Sequence, residues 1–347
     1  MNLTVSNLKL LTKVNHLQSS FSPLFANNNF IKLNIFHNII LNFFISSFLY
    51  TSTGISAEYS IKKSKFQNFL KPSIFFQSNE SLIKIKDNIF QNCKQRAINI
   101  KERSAHTIIS NCIFENCQIS KNGGAIFSKS QKFECEYCCF YHCTTVFEGW
   151  WGSAIYVFEA NQSKIYQISV FQCPPPQQER PDMDSQVSIF KGYTDCRFHN
   201  YTSGKHRFSS GIRLSHTEED HSILKFILTC QHKSGNALAF VRIYFKGDFS
   251  HINLINNSCN LGMIYLSMTD LFVSNSIFAN NYGNITYMHA DARISLISCV
   301  IDKDDIIFND FVVTKNCTLG NSTIQINLIK LSMSCDNRDK NSISRKR

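Results

Sequence analysis

The sequence predicts an all-β protein, a solenoid of short parallel strands. Three observations carry this. A short element of an aliphatic residue, Phe, one residue and Asn, often followed by Cys, recurs along the chain. A second element, a glycine or small residue followed by alternating apolar positions, comes a short polar gap later. No stretch after residue 60 shows a 3.6-residue period of useful length.

The first element reads Asn88-Ile89-Phe90-Gln91-Asn92-Cys93 and again Cys112-Ile113-Phe114-Glu115-Asn116-Cys117. Weaker copies are Cys138-Cys139-Phe140-Tyr141-His142-Cys143, Ser169-Val170-Phe171-Gln172-Cys173, Cys196-Arg197-Phe198-His199-Asn200 and Ser276-Ile277-Phe278-Ala279-Asn280-Asn281. The first five phenylalanines are 24, 26, 31 and 27 residues apart. The second element is clearest as Gly123-Gly124-Ala125-Ile126-Phe127 and Gly152-Ser153-Ala154-Ile155-Tyr156. Glycine allows the sharp corner, and the alternation after it has the period of a strand.

Fixed corners at this spacing describe a parallel β-helix of roughly 9–11 coils of about 24 residues, stacked at ~4.8 Å. Phe90, Phe114, Phe140, Phe171, Phe198 and Phe278 are then expected as an inward repeat stack. Asn92, Asn116, Asn200 and Asn281 are expected at corners, bonding the backbone of adjacent coils. The step of 31 coincides with Pro174–Pro181, four of the chain's six prolines, read as a projecting loop.

Cys135-x2-Cys138-Cys139-x3-Cys143 is the densest cysteine cluster. Cys139 is read in the register of Cys112, and Cys143 in that of Cys117 and Cys93, a ladder whose spacing also suits disulfides. Tetrahedral zinc and a catalytic thiol are the alternatives at these spacings.

The chain has 347 residues, 14 Cys, 30 Phe and a net charge of +11. It is too apolar and aromatic for a disordered chain, with 43% hydrophobic residues. The charge sits at the ends, since residues 1–57 hold Lys9, Lys13 and Lys32 and no acid, and residues 338–347 hold five cations against Asp339. Without a clustered basic face, no nucleic-acid partner is expected.

Residues 1–57 read as a signal peptide or signal anchor, because Ile39–Tyr50 is an apolar run followed by small residues at Ser56 and Ala57. The solenoid is placed at 58–335 and a basic tail at 336–347. A membrane is a partner only through the N-terminal segment if that segment stays uncleaved. Sequons at Asn79, Asn161, Asn200, Asn256, Asn284, Asn316 and Asn321 are possible glycosylation sites and agree with an extracellular or cell-surface location.

Acidic groups at Asp302-Lys303-Asp304-Asp305 and at Asp182 and Asp184 lack a matching carboxylate pair one coil away. Val241-Arg242-Ile243 looks like a polygalacturonase substrate strand without its partner motifs. Trp150-Trp151 can stack on a sugar ring or pack one ring inward. No catalytic, cofactor or metal residues are assigned.

Gly123–Ile126 and Phe278-x-x-Asn281 resemble the GGAI and FxxN tetrapeptides of polymorphic outer-membrane-protein repeats in bacterial surface adhesins; similar repeats occur in parasitic protists. The resemblance covers roughly residues 80–300, and elsewhere the chain has Phe-x-Asn-Cys instead. It implies a right-handed β-helix and a secreted or surface scaffold for adhesion or ligand interaction, its partner a host or cell-surface protein or glycan. A polysaccharide lyase or glycoside hydrolase on the same fold is the alternative.

Overall fold

The computed structural model describes residues 2–6, 9–11, 23, 25–27, 32–41, 47–52, 56–77, 80–145, 151–173, 184–202, 205–206, 209–215, 222–230, 233–234, 238–241, 248–259, 262–289, 292–302 and 312–320. Pro174–Pro181, Asp182, Asp304, Asp305, Asn79, Asn321, Trp150, Arg242 and residues 336–347 lie outside them, as do the side chains of Phe198 and Asn200.

The chain winds as a right-handed parallel β-solenoid with three faces. One coil shows the unit. Leu82–Lys86 forms the first face, Ile89–Gln91 the second and Ile98–Ile100 the third. Each pairs in parallel with its equivalents one coil away: Ile85 with Ile61 and Ile109, Phe90 with Phe66 and Phe114, Ile98 with Ile74 and Ile126. Among the described residues the third face is an eleven-stranded sheet, and the first two share a 23-stranded one.

Alternation sets the core. On the first face Ile83 and Ile85 point inward; on the second Phe90 does; on the third Ile98 and Ile100 do, all without exposure. No coil encloses a core alone, so each inward side chain is sealed by its copies above and below.

The corners are single left-handed residues. Asp87, Asn111, Tyr137, Gln167, Asn275, Ser298 and Asn316 turn the first face into the second with φ between 47 and 57°. Asn68, Asn92, Asn116, His142, Gln172, Asn256 and Asn280 turn the second toward the third, at φ 46–61°. Asparagine recurs because its short amide tolerates this conformation. Asn116 donates to Asn92 Oδ1 at 3.2 Å and Asn92 to Asn68 Oδ1 at 3.0 Å. The side chains therefore bond each other rather than the backbone.

The aromatic column runs Phe66, Phe90, Phe114, Phe140, with ring centroids 5.0, 5.0 and 4.8 Å apart and planes within 10°. Phe66 is an addition to the column expected from sequence. Phe171 and Phe198 are corrections. Val170, not Phe171, pairs with Phe140, and Phe171 is 36% exposed beside Tyr141. In the next coil Tyr201 takes the inward place, paired with Val170, so Phe198 lies outside the column's register. The corner explains this: Phe90 and Phe114 stand three residues before the corner cysteine, whereas Phe171 stands two before Cys173. Phe278 is buried in the inward position between Leu254 and Ile301. Asn200 pairs with Ser169 inside a strand, away from any corner. Asn281 follows the left-handed Asn280 and occupies the place that cysteine takes in earlier coils. Its amide donates to Leu254 O at 2.7 Å and accepts from Asn257 N at 2.9 Å.

That corner place holds Cys93, Cys117, Cys143 and Cys173, whose thiols face the carbonyls of Gln91, Glu115, Tyr141 and Phe171 at 3.4–3.8 Å. At the first corner Cys138, not Cys139, follows Cys112, because Cys139 lies on the strand opposite Ile113. Cys93, Cys112, Cys117 and Cys143 carry free thiols.

The GGAI segment makes the third corner. Ala97, Ala125 and Ala154 lie in one ladder, N–H to carbonyl at 3.0 Å. A Cβ on Gly124 would stand 1.9 Å from Ser153 O, so the two coils approach too closely for any side chain.

Strands Lys32–Phe36 and Leu49–Ser52, within residues 1–57, pair in register with Glu58–Lys62 and Ile74–Gln77. Leu33, Ile35, Phe48 and Leu49 are buried in the common core. No helix among the described residues is long and apolar enough to cross a membrane.

Candidate functional site

The outward residues of the first face form a polar grid. Lys132-Phe133-Glu134-Cys135-Glu136 sends its cation and two acids outward, and its Phe and Cys inward. One coil on, Gln162, Lys164 and Tyr166 stand opposite them, and then Tyr193, Asp195 and Arg197. Parallel strands in register, spaced ~4.8 Å per coil, thus bring together residues that are roughly 30 apart in sequence.

The charges pair across and along the strands. Lys164 Nζ lies 2.6 Å from Glu136 Oε1. Arg197 grips Asp195 with Nε at 2.7 Å and Nη2 at 3.0 Å. His106 Nε2 meets Glu134 Oε1 at 2.9 Å. The Glu136 bond raises the Lys164 ammonium, and the Asp195 bond raises the Arg197 guanidinium, above their ordinary values. Burial, then the Asp195 charge, raises the Tyr193 phenol.

Glu136, Tyr137, Lys164, Tyr166, Asp195 and Arg197 line an open depression of about 330 Å³. Tyr137 sits at its rim, 39% exposed, with its ring 5.7 Å from Tyr166, edge to face. It holds the left-handed corner at φ 55°, the place taken in other coils by Asp87, Asn111, Gln167, Asn275, Ser298 and Asn316. That conformation costs a residue with a full Cβ on the order of 1 kcal/mol.

The other residues singled out from sequence are placed elsewhere. Trp151 lies on the outside of the third face, half-buried, stacked on Phe190 at 6.1 Å and under Arg213 at 5.6 Å. The Asp302 carboxylate accepts from Asn280 N and caps a corner. Among the described residues no group of three or more His, Cys, Asp or Glu is arranged to hold a metal ion. Burial pushes the Cys112, Cys117, Cys138 and Cys173 thiols well above the usual range, which makes them poor nucleophiles.

His199 carries no signal in the sequence. It lies within the strand Tyr193–Thr202 without exposure, at the place that Ile168 holds one coil earlier, its Nε2–H donating to Ile165 O at 2.9 Å and its Nδ1 accepting from Tyr201 Oη at 2.8 Å. Burial pulls the imidazole down to about 4. The grid is equally silent there, since Glu134, Glu136 and Asp195 belong to no local motif and converge only when coils stack.

No curated protein and no solved structure matches this chain. The family model described as the right handed beta helix region matches residues 48–224, half of the chain. With three parallel faces, left-handed corners and a stacked inner column already seen in that span, the chain belongs to the right-handed β-helix family.

Proposed function

We propose that this chain is a secreted or cell-surface β-helix scaffold that binds a partner, a cell-surface protein or glycan, in an adhesion-type role without catalysis. The observation that carries this reading is the polar first face from Lys132 to Arg197. Its outward side chains are ordered by mutual ion pairs, and its depression is open to solvent. A rigid sheet presenting fixed donors and acceptors is a recognition surface at little entropic cost. Exposed sequon asparagines at Asn161, Asn256, Asn284 and Asn316 support an extracellular setting.

A glycan-active enzyme is favoured by one observation: Glu136 and Asp195, two coils apart, line the same depression. Hydrolysis needs one carboxyl group to arrive protonated, and both are committed here to Lys164 and Arg197.

Charge reversal tests the scaffold. The full chain carrying Lys164→Glu is expected to lose at least tenfold in binding to intact cells while its circular dichroism stays that of the parent. Equal binding by both proteins overturns the proposal. Release of reducing ends from polysaccharide, abolished by Glu136→Gln or Asp195→Asn, establishes the enzyme instead.

A further inference from the structure

We infer that the depression between Tyr137 and Arg197 is a subsite for one or two rings of an uncharged oligosaccharide. This rests on the binding-face reading above and names its ligand.

Size comes first. About 330 Å³ lies at the lower end of small-molecule sites. Charge comes next. Glu136 and Asp195 balance Lys164 and Arg197, so the lining carries no net charge. An anionic ligand such as a phosphate or a uronate meets the Glu136 and Asp195 carboxylates beside the two cations, so it gains no net attraction from this lining.

The free valences define the chemistry. Lys164 spends one N–H on Glu136 Oε1 and keeps two. Glu136 keeps Oε2 as an acceptor. Asp195 uses both oxygens on Arg197, which leaves the Nη1 edge of the guanidinium open. Neighbouring donors and acceptors on stiff, ion-paired side chains suit vicinal hydroxyl groups, each of which both donates and accepts. The lining is too polar for a hydrocarbon ligand.

The rings supply the remainder. Tyr166 rises from the strand and Tyr137 from the corner, set edge to face at 5.7 Å. Together they offer an apolar floor beside the polar wall, to which the C–H face of a sugar ring can pack.

The test is a printed array of uncharged and acidic oligosaccharides, probed with the full chain and with Tyr137→Asn and Tyr166→Thr. Both variants sit on the surface, and thermal melting confirms that they fold; Tyr137→Asn is expected to melt at or above the parent temperature. The expected result is retention of uncharged glycans, weakened about tenfold or more by each substitution. Retention of acidic glycans alone, of no glycan, or of uncharged glycans equally by all three proteins overturns the inference. A chain that fails on the array yet still binds cells in a Lys164-dependent way loses the sugar assignment only. Failure of both assays removes the binding face itself.

Discussion

Replacing Phe114 with alanine removes the centre of the inner aromatic column. The ring is fully buried, with Phe90 at 5.0 Å on one side and Phe140 at 4.8 Å on the other. Truncating a core phenylalanine costs about 3–5 kcal/mol. The upper half of that range is expected, because the neighbouring rings are tied to parallel strands at fixed spacing and cannot close the gap. At about 1.4 kcal/mol per factor of ten, a loss of about 4 kcal/mol lowers the folding equilibrium roughly a thousandfold. Phe171→Ala is the internal control. Although it belongs to the same sequence pattern, its ring is 36% exposed and paired with Tyr141, so its loss is expected to cost about 1 kcal/mol or less. Urea denaturation followed by circular dichroism compares the two in one host. Equal costs, or a larger one for Phe171, refute the register that places Val170 inside.

Three other outcomes follow from the same geometry. His199 binds a proton in the unfolded chain near pH 6.5 but near about 4 when folded. Its contribution is therefore fully present above pH ~6.5 and is lost as the pH falls toward 4, on the order of 3 kcal/mol. Urea midpoints across that range show it as a slope that His199→Gln flattens; an unchanged slope refutes the assignment. The buried thiols Cys112, Cys117, Cys138 and Cys173 are expected to resist a thiol reagent in the folded protein and react at once in denaturant, and rapid native labelling of all four contradicts their burial. Gly124→Ala forces a Cβ against Ser153 O and is expected to cost about 1–3 kcal/mol or more, whereas Ala125, already side-chained in the same corner, tolerates serine better; thermal melts rank the two.

The solenoid was legible because its physics is local and repeated. A left-handed corner favours asparagine, and an inward place favours phenylalanine, isoleucine or cysteine. Copies of both choices at one coil's spacing are visible in a single sequence. The errors arose from aligning copies on the conspicuous residue. Phe171 and Phe198 look like Phe90 and Phe114, but the frame is set by the corner residue that must take positive φ. Counting back three residues from the corner cysteine would have placed Val170 inside. The same rule shows that the Asn of Phe278-x-x-Asn281 and the Cys of Phe90-x-x-Cys93 are one position with two chemistries, each offering a small donor to nearby carbonyls.

The binding face had no such signature. Glu134, Glu136, Lys164, Tyr166, Asp195 and Arg197 point outward, where the repeat imposes no identity, so nothing periodic marks them. Sequence alone determined the strand period, the corners and most of the inner column, since each depends on the residue and its near neighbours. Which outward side chains meet was decided only by the tertiary structure, because it depends on the register between coils, and a shift of one residue would send every one of them to the opposite side of the sheet.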